Sequence, residues 1–144
     1  MSNTKGKFVN EIELPILAPP TISITLKTLL DSWPTFVELG SRRFDSDARL
    51  NMRLAKMMRA AQQEINDYNT ARDDLLARLG QSVADLPGQF ILGANQADFN
   101  RQVKEMQSEM VTLPGSRFAL EKFDALNLSI GALSLVDWLI DDSE

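Results

Sequence analysis

SDARLNMRLAKMMRAAQQEINDYNTARDDLLARL, residues 46–79, keeps one helix period along its whole length. Apolar side chains return at Leu50, Leu54, Met57, Ala61, Ile65, Tyr68, Leu75 and Leu79 in steps of three and four, with Arg72 taking the turn between. That spacing gathers them on one stripe of an α-helix and leaves the other faces to water. Asp45 or Ser46 is placed to cap the helix, Asp47 sits in its first turn where a carboxylate complements the dipole, and Gly80 ends it. About 34 residues at ~1.5 Å each give a rod on the order of 50 Å, longer than a small domain easily wraps. Part of it is therefore expected to meet something else.

The segments on either side supply the cover. Downstream, Asn95 is placed as an N-cap and Phe99, Val103, Met106 and Met110 follow at steps of four, three and four. These predict a second helix to about Thr112, stopped by Leu113-Pro114-Gly115, lying antiparallel against the Ile65–Leu79 half of the rod. Between the two helices, Pro87-Gly88 signals a turn and Phe90-Ile91-Leu92 a short strand. Upstream, Leu26, Leu29, Leu30, Trp33, Phe36 and Val37 have helical spacing, but Pro34 inside a helix loses a hydrogen bond and crowds the preceding turn. The expectation is a short helix broken near Ser32, restarting with Pro34 in its first turn, stopping at Gly40 and covering the other half of the rod.

The ends carry less regular patterns. Ile12, Leu14 and Ile16, then Ile22, Ile24 and Leu26, alternate with polar residues around Pro15, Pro19 and Pro20. Period two broken by prolines predicts edge strands or an extended arm over residues 1–24, pairing with its own sheet or with a neighbouring subunit. Residues 25–144 then form one helical-hairpin domain. Near the C-terminus, residues 117–120 read as a short strand and Ser129 as the cap of a last helix containing Leu133, Leu135, Val136, Trp138, Leu139 and Ile140. That helix is apolar on most of its circumference, so it is central to the core or a docking element. The fold class expected is mainly α with minor β, a long antiparallel helical hairpin with short flanking helices and a small β-sheet.

Composition restricts the chemistry. The chain of 144 residues has no cysteine and no histidine, which removes disulfides, thiolate nucleophiles, Ser-His-Asp and zinc-finger arrangements, and the commonest general base. No GxxxxGK[ST] or GxGxxG stretch cradles a phosphate. The pairs Asp73-Asp74 and Asp141-Asp142 remain, but neighbouring carboxylates on a helix diverge by about 100° and do not converge on a substrate or cation. No catalytic, cofactor-binding or metal-binding residue is expected, and the protein is read as non-enzymatic. With no uninterrupted apolar run of spanning length and no leader-like N-terminus, membrane association is not expected either.

Charge is distributed unevenly within a net −5: residues 42–59 hold six basic side chains against Asp45 and Asp47, whereas residues 60–144 hold six basic against fourteen acidic. Arg49, Arg53 and Lys56 fall at i, i+4 and i+7 on one helical face, just after Arg42 and Arg43. Such a strip can meet phosphates, an acidic protein or plain solvent. The overall acidity and the lack of interleaved aromatics disfavour nucleic acid. Met52 and Met58 lie partly off the main stripe and leave room for a second interface, while Trp33 and Trp138 are core anchors or interface hot spots. The candidate partner-binding residues are Arg49, Arg53, Lys56, Met52, Met58 and Trp138.

The order Leu29-Leu30, Trp33-Pro34, a long helix ending in Ala71-Arg72-Asp73-Asp74-Leu75 and Arg78-Leu79-Gly80, Phe99 on a second helix, and finally Leu135-Val136-Asp137-Trp138-Leu139-Ile140 resembles a family of small uncharacterised proteins of tailed bacteriophages and prophages. The likeness spans about residues 26–141 and leaves the N-terminal arm outside. It implies a helical hairpin with a little β-structure and no catalytic residues to carry over. The functional expectation is a phage structural or assembly protein of the virion or tail, a homo-oligomer acting through protein partners, located in the virion or the host cytoplasm. The alternative is a small inhibitor or regulator of a host protein acting through its acidic surface.

Overall fold

A computed structural model describes residues 18–42 and 47–141. Ile12, Leu14 and Ile16 of the arm, Arg43, the cap candidates Asp45 and Ser46, and Asp142 to Glu144 lie outside the described residues. The protein is mainly helical with minor β-structure. In order, it comprises β1 (Thr21–Thr25), α1 (Leu26–Arg42), α2 (Ala48–Leu79), β2 (Gln81–Val83), β3 (Leu86–Ile91), α3 (Gln96–Gln107), β4 (Met110–Pro114), β5 (Phe118–Ala119), α4 (Ile130–Leu135) and β6 (Ile140–Asp141). Short 3-10 turns at Gly93–Asn95, Leu120–Leu126 and Asp137–Leu139 join them.

α2 is the axis of the molecule. Leu50, Leu54, Met57, Ala61, Ile65, Tyr68 and Leu75 are buried, seven of the eight stripe positions, and Leu79, the last helical residue, is half-buried. Within the described residues its cap is Asp47, whose carboxylate accepts the Leu50 N–H at 3.2 Å, rather than a residue one or two earlier with Asp47 inside the first turn. α3 runs antiparallel to the second half of α2. Asn95 Nδ2 donates to the Leu79 carbonyl at 2.7 Å, Arg72 lies 5.7 Å from the Phe99 ring centroid, and Gln107 Nε2 donates to Tyr68 Oη at 2.8 Å. The descending order of the α2 partners along α3 is the hairpin.

α1 covers the first half of α2, but as one continuous helix of 17 residues with Pro34 inside it, not as two pieces. Its cap is Thr25, whose hydroxyl accepts the Thr28 N–H at 3.1 Å. Ser32 is a core residue instead of a cap, donating to the Thr28 carbonyl at 2.8 Å. Burial of Leu29, Phe36 and Leu39 on both sides of Pro34 outweighs the lost backbone bond, since each fully buried large apolar side chain contributes about 1.5–3 kcal/mol. Gly40 does not stop the helix. A Cβ there would come within 2.7 Å of Met58 Sδ, so α1 and α2 approach closely at this position.

The second correction concerns the end of α3. It stops at Gln107, and Met110–Pro114 is a strand paired antiparallel with β1, Ile22 opposite Leu113 and Ile24 opposite Val111. These four alternate residues are buried and form the inner face of a two-stranded ladder laid on α2. Gly115 closes it, donating its N–H to the Pro20 carbonyl at 2.9 Å from a backbone with φ +113°. β2 and β3 form a hairpin that turns at Ala84-Asp85. Pro87-Gly88 lies beyond that turn, in the stretch of β3 where the register jumps from Val83↔Leu86 to Ser82↔Phe90. Gly88, at φ +81°, adopts the left-handed conformation that this irregularity requires.

The C-terminal segment is shorter in helix than its apolar content suggests. Ser129 caps α4 by accepting the Ala132 N–H at 3.1 Å, but α4 has only six residues, none of them buried. Val136, Trp138 and Leu139, which follow it, are buried and return the chain to β6, parallel to β5.

Candidate protein-contact surfaces

Of the six residues singled out by sequence, the structure gathers three on one surface. Arg49, Met52 and Lys56 lie on the solvent face of α2, joined by Arg59, and all four are exposed, Met52 to 61%. Arg49, Lys56 and Arg59 make no ion pair among the described residues.

The other three turn inward. Arg53 donates to Ser116 Oγ at 2.8 Å and stacks 4.7 Å above the Phe118 ring centroid, tying α2 to the start of β5. Arg53 lies about 40° from Arg49 around the helix, on the side toward the buried Leu50, Leu54 and Met57, which brings its guanidinium within reach of Ser116. Met58 is half-buried against Gly40 and belongs to the α1–α2 crossing. Trp138, open in sequence between core anchor and interface hot spot, is a core anchor. It is 7% exposed, its ring meets Phe36 edge-on at 5.5 Å, and its Nε1–H reaches Ser32 Oγ at 3.2 Å.

A second surface was not singled out. Leu120, Ile130, Leu133, Ser134 and Asp137, with Arg117 and Trp138, line an open groove of about 730 Å³. Arg117 Nε donates to the Trp138 carbonyl at 3.0 Å, which ties two of the lining residues together. Two large apolar side chains of its lining are open to water, Ile130 at 89% and Leu120 at 45%. The Ser129 cap points Ile130 outward in the first turn of α4, and that cap was legible. What the sequence lacks is any local sign that Leu120 stands across from it.

Among the described residues no group of three or more carboxylates converges as a metal site, and no helix is long and apolar enough to cross a membrane. Where titration is displaced, the cause is a surface ion pair on α3. The Arg101 guanidinium bonded to Asp98 holds its carboxyl below the ordinary aspartate range, and Asp98 with Glu105 raises Arg101. No protein-family model, curated protein or solved structure matches the chain.

Proposed function

We propose that this protein is non-enzymatic and works by protein–protein contact, as a structural or assembly component of a tailed-phage virion or tail. The observation that carries the contact reading is the groove beneath Ile130, a large apolar side chain almost wholly in water beside Leu120. Covering Ile130 alone with a partner removes enough apolar surface to contribute about 1.5–3 kcal/mol. The phage setting rests on the sequence likeness over residues 26–141.

The test is affinity capture from disrupted phage particles and infected-cell lysate, using the intact chain and Ile130→Asp, with retained proteins identified by mass spectrometry. Because Ile130 makes no buried contact, the variant keeps its fold, as circular dichroism will report. Virion polypeptides held by the intact chain and released by Ile130→Asp are the expected result. Retention of a basic host protein alone, lost at high salt, would replace this reading with host regulation through the acidic surface.

A further inference from the structure

We infer that the solvent face of α2 is a self-complementary dimer surface, on which a second copy of the chain lies antiparallel and brings the basic first half of one helix against the acidic second half of the other. The inference rests on the contact reading above and names the partner for one of its two surfaces.

The starting point is how this protein treats exposed helical charge elsewhere. On α1, Lys27 meets Asp31 at 2.8 Å and Glu38 meets Arg42 at 2.7 Å, both at i, i+4. On α3, Arg101 is held between Asp98 and Glu105. These neighbours cancel locally. α2 is built differently: Arg49, Arg53, Lys56 and Arg59 precede Glu64, Asp67, Asp73 and Asp74, which share their half with two further basic residues, Arg72 and Arg78, so the first half of the helix is net basic and the second half net acidic. Its one close approach among the described residues is the adjacent pair Arg72–Asp73 at 3.9 Å. Asp67 is bonded to the neutral Gln63 at 2.8 Å, and neither Lys56 nor Asp74 has an ion-pair partner there.

The sorted charges share a face. At about 100° per residue, Arg49, Lys56, Asp67 and Asp74 fall within roughly 20° of one another, well away from the buried stripe, and all four are exposed. Arg49 and Asp74 stand about 37 Å apart on the same helix at ~1.5 Å per residue, too far to meet within one molecule. A second copy related by a two-fold axis passing between Ala61 and Gln62 sets Arg49 against Asp74 and Lys56 against Asp67. Symmetry then repeats each pair, giving an isologous contact. A parallel partner would set like charges against each other along the whole face. Exposed pairs are individually weak and screened by salt, so the dimer is a weak, salt-sensitive one whose orientation is set by charge.

Two charge variants of the full chain test this. Arg49→Glu with Lys56→Glu makes all four of these positions acidic, and Asp67→Lys with Asp74→Lys makes all four basic. Sedimentation equilibrium at low salt is expected to show the unaltered chain dimerising, each variant alone monomeric, and an equal mixture of the two forming a heterodimer. Raising salt from about 0.05 to 0.5 M is expected to weaken the unaltered dimer on the order of tenfold. Since the chain has no cysteine, a spin label on Met52→Cys reports orientation by pulsed dipolar spectroscopy. Antiparallel pairing predicts a separation of about 30 Å across the dimer, parallel pairing one near 10 Å.

A monomer at low salt, a dimer indifferent to both variants, a mixture that fails to pair, or a short label separation would each overturn the inference. So would a face that binds only an acidic protein or a polyanion. These outcomes are separable from failure of the proposed function, because the Ile130 groove lies on α4 and its capture assay does not use α2.

Discussion

Trp138 and Ser32, separated by 106 positions in sequence, meet through an indole N–H and a buried hydroxyl at 3.2 Å. Ser32 is fully enclosed and in turn donates to the carbonyl of Thr28, so the hydroxyl links the C-terminal segment to the backbone of α1. Ser32→Ala is expected to strand the Trp138 N–H and cost about 1–3 kcal/mol, less a few tenths regained in helix propensity. Trp138→Phe in the same background should then cost less than it does alone, because the unpaired donor is gone. Urea denaturation of the four chains gives the coupling directly.

Gly40 tests the α1–α2 crossing. In an open helix, Gly→Ala stabilises by about 0.5–1 kcal/mol, but here the added methyl meets Met58 Sδ at 2.7 Å and Cε at 2.9 Å. Gly40→Ala is expected to give no gain, or a small loss, with Met58 present. In a Met58→Ala background, the ordinary stabilisation of about 0.5–1 kcal/mol should return. The sign difference between the two backgrounds, read from thermal melts, is the measurement.

Arg53 and its neighbours separate a structural cation from surface ones. Arg53→Ala removes the bond to Ser116 and the stack on Phe118 and is expected to cost about 1–2 kcal/mol. Arg49→Ala and Lys56→Ala should stay within about 0.5 kcal/mol. Denaturant midpoints under one salt condition make the comparison.

The Asp98 carboxyl offers a pH prediction with a definite sign. Its hydrogen bond from Arg101 comes first among the causes that lower its pKa. A depressed folded-state value contributes stability above the unfolded aspartate pKa and loses it as pH falls through the folded one. The group is exposed, so the effect on stability is small and falls with salt. Carbon-13 NMR titration should place the Asp98 midpoint below the ordinary aspartate range, moving up toward it in Arg101→Gln.

What the sequence disclosed was what local pattern controls. The stripe from Leu50 to Leu75, the end at Gly80, the cap at Ser129 and the alternation Ile22, Ile24 are each set by neighbours within four residues. Three features were set from farther away. Met106 and Met110, at a step of four, extend the helical period into a segment whose true period is two. Val111 and Leu113 reveal that period only once β1, 89 positions earlier, is beside them, as the Ser23–Thr112 hydroxyl contact at 3.3 Å shows. Pro34 stays inside α1 because Phe36 and Leu39 are needed in the core, a demand no helix rule contains. Among the candidate contact residues, helical spacing placed Arg49, Met52 and Lys56 correctly outside. It could not know that the chain near Ser116 would come back to claim Arg53, or that Gly40 would admit Met58.

The pairing of β1 with β4 also fixes an order of events in time. Thr25 and Met110 are partners across the ladder, and between them lie α1, α2, the β2–β3 hairpin and α3. Closing so long a loop is entropically unfavourable until the helices inside it have already shortened the gap, and non-local strand pairing slows folding for that reason. The α2–α3 hairpin closes through the local β2–β3 hairpin, a far smaller loop than the one the ladder spans, and forms early, so the ladder acts as a clasp fastened late. In the native state the same clasp can open as a unit while the rod stays helical. The Val111 and Leu113 amides should then exchange with deuterated water faster than those of Met57 and Ala61.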